Sequence, residues 1–282
     1  MNSSEAGPVK AMNVMKKPIL IDAHAHLDGY DELGPAALEA ALEEIARFRI
    51  FTISNSMDLP SYRRNLEIAA RCRWVLPVFG IHPWNAHLYA DRRDSLRKAM
   101  AQNPIFGEIG LDHFFMKDKS RYPAQRDIFE LFLAVARDQG KIVIVHTKGA
   151  EKEALEILDR YALLRVVIHW YSGPIKVFRE MVERGFYFTV GSEVMRKEKI
   201  RRIAREIPAD RLLTETDNPG GPESVFGRTG MPAILRDIVR SLAEVRKTTE
   251  DELVATVRAN LERLFGDDAR LAGFLSQISN EK

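Results

Sequence analysis

Two histidines at the end of a short apolar run are the first residues in this chain that could carry out chemistry. Leu20 and Ile21 lead through Asp22 to His24 and His26, which are separated by one residue. Alternate side chains of an extended strand point to the same face, so this spacing predicts that both imidazoles face one way. Two neutral imidazole nitrogens on one face can bind a single metal ion. Because His-x-His alone is a weak signal, the interpretation depends on the rest of the chain.

More side chains of ligand type stand at the ends of later predicted strands. They are His82, Glu108, His146, His169 and Asp217. In a parallel barrel all of these strand ends open onto one face, which is where barrel active sites lie. Any one of these residues could be a hydrogen-bonded core or capping residue. Their coincidence at one rim instead predicts a shared metal centre.

The predicted ligand set consists of imidazoles and carboxylates without a thiolate. Such donors suit zinc, manganese, iron or magnesium. Four histidines and two carboxylates are too many for one tetrahedral ion, so we predict two divalent ions (Mg, Mn or Zn), about 3.5–4 Å apart, sharing a bridging carboxylate and a water. One ion would lower the pKa of that water, and both would stabilise negative charge on the substrate.

The elements that must position these residues alternate between short apolar runs and amphipathic segments. The apolar runs predict strands at 19–26, 50–53, 75–79, 105–106, 142–146, 166–169, 186–190 and 212–217. Apolar residues at three- and four-residue steps, together with helix boundary signals, predict helices at 35–48, 59–72, 92–101, 124–139, 151–161, 174–184, 197–206, 232–246, 249–265 and 268–276. The Gly- and Pro-rich stretch 218–230 predicts a loop with special backbone angles, ordered around something.

Eight strands alternating with helices predict an α/β fold closed as a (β/α)8 barrel, with the metal centre at the carboxyl ends of the strands. The competing open, doubly wound sheet would carry Gly-x-Gly-x-x-Gly after its first strand, and this chain does not. The 282 residues suit one barrel domain, since such barrels commonly use roughly 250. We predict a flexible N-terminal tail at 1–17 and a single hydrolase domain at 18–282.

Composition limits the partners and the compartment. Lys and Arg total 42 against 40 Asp and Glu, so nucleic-acid contacts are expected to be local rather than spread over the surface. The single cysteine, Cys72, excludes an internal disulfide or a cysteine metal cluster and favours a reducing, cytoplasmic setting. No run approaches the roughly 20 apolar residues of a membrane span, and a signal-peptide core is missing. We therefore expect no membrane partner, and no obligate protein partner is evident.

Six segments, taken in order, resemble the TatD family of metal-dependent hydrolases, within the amidohydrolase superfamily, over about 18–266. They are IDAHAHLD at 21–28, GIHP at 80–83, GEIGLD at 107–112, HT at 146–147, HWYSG at 169–173 and ETDNP at 215–219. This ordered set is highly specific. The resemblance implies an enzyme that hydrolyses ester bonds, typically a 3′-to-5′ exonuclease on DNA and sometimes on RNA.

The resemblance also implies a role for each candidate residue. His24 and His26 would bind one metal, Glu108 would bridge, and a pair further along the chain, His146 and His169, would bind the second. Asp217 would bind the first metal and act as general acid and base on the water. Glu108 and His82 would complete the catalytic set, with His82 on the substrate side.

Two departures from the family pattern concern substrate binding. Members usually carry a basic segment after the last motif, where this chain has FGRTGMP at 226–232 and keeps only Arg228. His146 is followed by Thr147 and Lys148 rather than Ser-Arg-Asp, which keeps a positive charge but not a two-pronged phosphate contact. The predicted substrate contacts are therefore His82, Lys148 and Arg228.

Three functions stay open at this point. The first is a two-metal phosphodiesterase acting on a nucleic-acid 3′ end, and the second is a hydrolase of small amides, lactones or phosphate esters. The third, a non-catalytic metal-holding scaffold or partner-binding protein, is disfavoured by the intact set of ligands, base and bridging carboxylate. Aromatic residues near the rim are candidates for stacking on bases, although such residues more often pack a loop; they are Trp84, Tyr89, Phe114, Phe115 and Tyr171.

Overall fold

The computed structural model describes residues 18–279, and the predicted tail at 1–17 lies outside the described residues. Its centre is a set of eight strands within that range. They are β1 Leu20–Ala25, β2 Ile50–Ser54, β3 Val75–Pro77, β4 Ile105–Gly110, β5 Ile142–His146, β6 Val166–Ile168, β7 Tyr187–Val190 and β8 Leu212–Thr214. Nearly all of their residues are buried, as expected for strands covered on both faces.

The strands pair in parallel and in chain order. One hydrogen-bonded group runs β1-β2-β3, and a second runs β4-β5-β6-β7-β8. An isolated parallel bridge between Phe79 and Phe106 links the two groups. On the other side, Asp217 N donates to His24 O at 2.9 Å and Thr214 Oγ1 donates to Ile21 O at 2.5 Å. These contacts close the ring, so the predicted (β/α)8 barrel is confirmed.

Helices surround this barrel and follow the predicted pattern closely. They are α1 Pro35–Phe48, α2 Leu59–Arg71, α3 Arg97–Gln102, α4 Tyr122–Gln139, α5 Glu151–Tyr161, α6 Ile175–Glu183, α7 Glu198–Glu206, α8 Gly220–Phe226, α9 Ile234–Arg246, α10 Glu250–Phe265 and α11 Ala272–Ser279. In α1 the apolar stripe of Leu38, Leu42 and Ile45 is buried, which is what the periodicity predicts. Gly140 ends α4 with a φ of 61°, a left-handed conformation in which glycine is not strained.

The structure corrects the prediction for 218–230. The composition of this stretch predicts a loop, but the stretch contains the seven-residue helix α8. Its glycines are poor helix formers, so composition gave the wrong signal. Gly221 serves close packing instead, because a Cβ at this position would lie 2.5 Å from the Trp170 side chain. Tyr30 fixes the end of the segment by donating its hydroxyl to Gly230 O at 2.7 Å.

The predicted helix at 92–101 is also divided. A 3-10 turn, Arg93–Leu96, precedes α3. Ser95 Oγ donates to Arg92 O at 2.6 Å, and such local side-chain bonds compete with regular helix formation. The turn does not affect the strands or the ends of the strands that carry the predicted ligands.

Among residues 18–279, none of the helices combines the length and the apolar character that crossing a lipid bilayer would require.

Candidate metal centre

Each predicted ligand lies at the carboxyl end of its strand. Two come from β1 and the residue after it, one from β4, one from the last residue of β5, one from the residue after β6 and one from just beyond β8, and they are His24, His26, Glu108, His146, His169 and Asp217. His24 and Glu108 have exposed fractions of only 0% and 1%. The barrel therefore brings all six to one end, as the strand-end pattern predicts.

The backbone after β8 is shaped to present Asp217. Asp217 has a φ of 51°, a left-handed conformation that is uncommon outside glycine and is tolerated best by Asn and Asp. Its amide donates to His24 O at 2.9 Å and its carbonyl accepts from Gly221 N at 2.6 Å. Unusual backbone angles of this kind concentrate at functional sites. The strained residue thus points its carboxylate at the β1 histidines.

The first half of the site is formed by the β1 histidines and two carboxylate oxygens. Nε2 of His24 and Nε2 of His26 lie 3.2 Å apart. Oε2 of Glu108 lies 3.4 Å from the first and 3.1 Å from the second. Oδ1 of Asp217 lies 3.5 Å and 3.4 Å from the same two nitrogens. Four potential ligand atoms therefore converge on one point.

The second half is built around the other oxygen of Glu108. Oε1 lies 2.6 Å from Nδ1 of His146 and 2.8 Å from Nε2 of His169. Nε2 of His82 lies 3.5 Å from the same oxygen. The two ligating nitrogens of His146 and His169 are 3.3 Å apart. Glu108 thus stands between the two groups, with one oxygen turned to each.

These residues fit divalent cations. The side chains of His24, His26 and Glu108 form one candidate group, and those of His82, Glu108 and His146 form another, each with ligand atoms within 4.8 Å of one another. Nε2 of His24 faces Nε2 of His26, Oε2 of Glu108 and Oδ1 of Asp217 at once, whereas a neutral imidazole nitrogen can only donate one proton or accept with one lone pair. A cation between them would satisfy their lone pairs, and neutral imidazole and carboxylate are suitable ligands for it.

The electrostatics of the site depend on Glu108. Burial acts to raise its pKa, but the imidazoles of His169 and its neighbours outweigh burial and hold the Glu108 pKa well below its usual value. Burial also acts to raise the pKa of Asp217, but hydrogen bonding to His26 and the nearby imidazoles outweigh burial and lower that pKa. Both carboxylates are therefore anionic at neutral pH, which is the form that binds a cation.

Asp112 is a site residue that the sequence reasoning missed. Its Oδ2 accepts a hydrogen bond from Nε2 of His146 at 3.0 Å, which in a neutral imidazole leaves Nδ1 as the lone-pair nitrogen facing Glu108. Oδ2 also accepts from Trp84 Nε1 at 2.9 Å. Burial acts to raise the pKa of Asp112, but these hydrogen bonds outweigh burial and hold the pKa below its usual value. The signal available in the sequence was a carboxylate at the end of the segment 107–112.

Glu215 supports His169 in a similar way and was also missed. Its Oε2 lies 3.3 Å from Nδ1 of His169, and its Oε1 accepts from the amide of Trp170 at 3.0 Å. The Glu215 side chain is fully buried. A carboxylate on the far nitrogen of a ligating histidine fixes the ring orientation and increases its basicity as a ligand.

The three predicted substrate contacts occupy different environments. His82 is buried, and burial lowers its pKa to about 4. Its Nδ1 accepts from the amide of Trp84 at 3.2 Å, so the neutral ring carries its proton on Nε2. Lys148 donates to Ser172 Oγ at 2.6 Å, and burial lowers its pKa. Arg228 lies in the exposed turn after α8.

A cavity of about 650 Å³ opens over the site. Five of the six predicted ligands reach its wall, together with His82 and Lys148, whereas Arg228 does not. A basic residue that the sequence reasoning missed, Lys197, also lines the cavity and is ion-paired with Glu193 at 2.5 Å. A groove of similar volume, about 660 Å³, lies beside α5 and contains none of the predicted ligands.

Comparison with known proteins agrees with this geometry. The family model described as TatD related DNase matches residues 21–266. An uncharacterized metal-dependent hydrolase of Escherichia coli K12, YcfH, is 30% identical over 258 residues, which cover 89% of this chain and 97% of that protein. The 3′-5′ ssDNA/RNA exonuclease TatD of Cronobacter sakazakii is also 30% identical, with 79% of this chain and 90% of that protein covered.

A solved structure shows the same architecture. The crystal structure of YjjV, a TatD homologue from Escherichia coli K12, superposes with a TM-score of 0.77 at 26% identity and covers 87% of this chain and 97% of that one. The match of the family model over most of the chain, the curated relatives and this structural likeness all agree. The chain therefore belongs to the TatD-related DNase family of metal-dependent hydrolases.

Proposed function

We propose that the protein is a two-metal phosphodiesterase that removes nucleotides from the 3′ end of DNA, and of RNA where the strand is accessible. The observation that carries the proposal is the position of Glu108, with Oε2 at 3.1 Å from His26 and Oε1 at 2.8 Å from His169. A carboxylate shared between two ligand groups is what a paired-ion site needs. A single-ion site would leave one of the two groups without a purpose.

Each group of ligands would hold one divalent ion (Mg, Mn or Zn). His24, His26, Asp217 and Oε2 of Glu108 would hold the first, because Nε2 of each histidine lies within 3.5 Å of both Oε2 of Glu108 and Oδ1 of Asp217. His146, His169 and Oε1 of Glu108 would hold the second. When bound, the ions supply a water of lowered pKa and stabilise the charge that develops on the phosphate.

Asp217 is the proposed general acid and base. Its side chain has an exposed fraction of 22% and faces the cavity, whereas Glu108 is almost fully enclosed. Asp217 would accept a proton as a water oxygen bonds to phosphorus, and would return it to the 3′ oxygen when the P–O3′ bond breaks. The atoms balance, with a nucleoside 5′-monophosphate and a strand one nucleotide shorter as the products.

His82 and Lys148 are the proposed phosphate contacts. The proton on Nε2 of neutral His82 lets it donate to a non-bridging oxygen. Lys148 keeps donors besides the one given to Ser172, since an ammonium has three. Both line the cavity, so they can place the phosphate over the bridging Glu108.

The test uses two single-stranded DNA substrates. A linear oligonucleotide labelled at its 3′ end is incubated with the protein and Mg²⁺ or Mn²⁺, with and without a chelator. Release of labelled mononucleotide only without the chelator supports the proposal. Circular single-stranded DNA of similar composition has no end and is expected to stay intact. Nicking of the circle, or no cleavage of either substrate, would contradict 3′-end hydrolysis.

The second candidate is a hydrolase of small amides, lactones or phosphate esters. The limited number of basic side chains available to a phosphate at the cavity wall favours this function. Lys197 is already ion-paired with Glu193, and Arg228 does not line the cavity. A substrate with little charge would need no more than Lys148. Metal-dependent turnover of a lactone or phosphate-ester panel, together with intact DNA, would select this function.

The same proposal places the reaction in the cytoplasm and in one hydrolase domain spanning 18–282. Cys72 is buried and unpaired, which suits a reducing compartment.

A further inference from the structure

Three aromatic side chains form an exposed wall on one side of the cavity. They are Trp84, Phe114 and Phe115, which we call the aromatic wall, and they have exposed fractions of 39%, 53% and 57%. Within residues 18–279, these are the aromatic members of the set of large exposed apolar side chains. All three line the cavity that contains Glu108 and Asp217. Contiguous exposed apolar side chains in a cavity are typical of ligand-binding surfaces.

The rings of the wall are held at defined angles. Trp84 and Phe115 meet edge to face, with centroids 5.9 Å apart and planes at 77°. Phe114 and Phe115 meet at 4.9 Å and 89°. The His82 ring also meets Trp84 edge to face, with centroids 4.7 Å apart and planes at 82°. Through Trp84 the wall contacts His82, whose Nε2 lies 3.5 Å from Oε1 of the bridging carboxylate Glu108.

Asp112 fixes the wall to the metal centre. Its Oδ2 accepts from Trp84 Nε1 at 2.9 Å and from His146 at 3.0 Å. Its Oδ1 accepts from the amides of Phe114 at 2.9 Å and Phe115 at 2.7 Å. One buried carboxylate thus orients both a predicted metal ligand and the backbone that carries the exposed rings. Rings held in advance lose little conformational freedom when a ligand stacks on them.

Other stacking candidates from the sequence do not belong to this surface. Tyr171 is buried and packs against Phe178, and Tyr89 is only partly exposed and absent from the cavity wall. Their role is packing. The residues that remain are grouped on one wall rather than distributed around the rim.

We propose that the aromatic wall is a base-binding subsite that stacks on the base of the 3′-terminal nucleotide, with Phe115 as the main contact. The inference rests on the proposed phosphodiesterase function. A nucleotide has a phosphate for the metal centre and, one sugar away, a flat apolar base for the wall. Every base offers a π-face, so the wall gives affinity without selecting a sequence.

The experiment compares two oligonucleotides that differ only in the terminal base. One ends in an ordinary nucleotide and the other in an abasic nucleotide with the same phosphate and sugar backbone. For the parent protein, KM is expected to be lower on the complete strand by about fivefold or more, which corresponds to the ~1 kcal/mol that is the lower range for one stacked base. Phe115→Ala is expected to raise KM on the complete strand by a similar factor and to leave KM on the abasic strand within about twofold of the parent.

Two further variants act as controls. Phe115→Trp keeps an aromatic face and is expected to restore KM on the complete strand. Leu164→Ala removes another exposed apolar side chain, with an exposed fraction of 91%, that is not part of the cavity wall. It is expected to match the parent on both strands.

The possible failures are distinguishable. If Phe115→Ala raises KM by the same factor on both strands, the wall does not contact the terminal base. The inference is then overturned, while the nuclease function stands. If the parent hydrolyses neither strand, the proposed function fails and the inference fails with it. If the parent sediments as a dimer and Phe115→Ala as a monomer, with equal KM values on each strand, the wall is a self-association surface instead.

Discussion

Asp112 and His146 form the contact that determines which nitrogen of His146 faces the centre of the site. The carboxylate lies 3.0 Å from Nε2, and Nδ1 lies 2.6 Å from Glu108 on the opposite side of the ring. The bond selects the tautomer and holds the ring, as carboxylate partners of metal-binding histidines do. A residue that would not itself bind an ion therefore controls one that would.

We expect Asp112→Asn to weaken metal binding without unfolding the protein. The amide nitrogen of Asn would face donors that now point at carboxylate oxygens, so His146 would lose its fixed orientation. Loss of such a partner typically lowers metal affinity by about 10–100-fold. Titration with Mn²⁺ measures the change. Asp118→Asn, at an exposed carboxylate, is the matched control and is expected to bind metal like the parent. Equal affinities in both variants would assign Asp112 to the aromatic wall alone.

Glu108→Gln tests the bridging carboxylate. We expect the variant to fold, to bind less metal and to lose hydrolysis, because a neutral amide cannot offer two anionic oxygens to the two ligand groups. Metal content after dialysis and the rate on labelled DNA are the measurements, with circular dichroism as the check on folding. Glu32→Gln, at an exposed position, is the control. Full metal content and activity in Glu108→Gln would refute the bridge.

Asp217→Asn keeps the shape of the side chain and removes the proposed base. We expect kcat to fall by at least ~10², in line with the contribution of a general base. The rate must be measured at saturating metal, so that loss of a ligand is separated from loss of the base. A decrease of only a few-fold under those conditions would mean that another residue takes the proton from water.

The barrel was predictable because its signals are local and repeated. The β-branched run at 142–145 reads as a strand buried on both faces, and the stripe in α1 reads as a helix packed on one side. The residues at strand ends then follow from topology, since parallel strands present their carboxyl ends together. The sequence pattern therefore predicts that all six candidate ligands lie close together.

What was missed depends on contacts that no local pattern encodes. Asp112 and Glu215 act through histidines 34 and 46 residues away, so their roles become visible only when the barrel closes. Helix α8 was hidden because Gly221 is required for close approach to Trp170 and weakens the helical signal. Lys197 was missed because its segment reads as the start of a surface helix rather than as cavity wall.

Lys141 provides a pH-dependent test of stability outside the site. Its side chain is buried and donates to Met100 O at 3.0 Å and to Asn103 O. Burial lowers its pKa from 10.5 to about 8. Between these two values the unfolded chain binds more protons than the folded one, so the free energy of unfolding gains a contribution that rises with pH from about 8 to about 10.5.

We expect Lys141→Met to remove this rise. Denaturant unfolding of parent and variant at several pH values between 7 and 10.5 gives the difference in unfolding free energy, in which groups common to both proteins cancel. Lys152→Met is the control, because that side chain has an exposed fraction of 80%. Parallel pH curves for the parent and Lys141→Met would show that the buried ammonium is not the source.

Variants at Lys148 and Arg228 distinguish substrate contacts inside the cavity from substrate contacts outside it. Lys148 lines the cavity and Arg228 does not, although an Arg228 contact with a longer strand stays a prediction. If Lys148 grips the phosphate beside the metals, Lys148→Ala should raise KM on a short oligonucleotide. It should also reduce the slope of log affinity against log salt by about 0.7, the value for one phosphate contact on a single strand.

The same series with Arg228→Ala is expected to change KM little on a trinucleotide and to show a salt effect only on longer strands. His82→Ala should lower kcat more than it raises KM, since its Nε2 lies 3.5 Å from Glu108. If Lys148→Ala and Arg228→Ala both match the parent in KM, kcat and salt slope on every length, nucleic acid loses its proposed basic contacts and the small-substrate hydrolase becomes the better function.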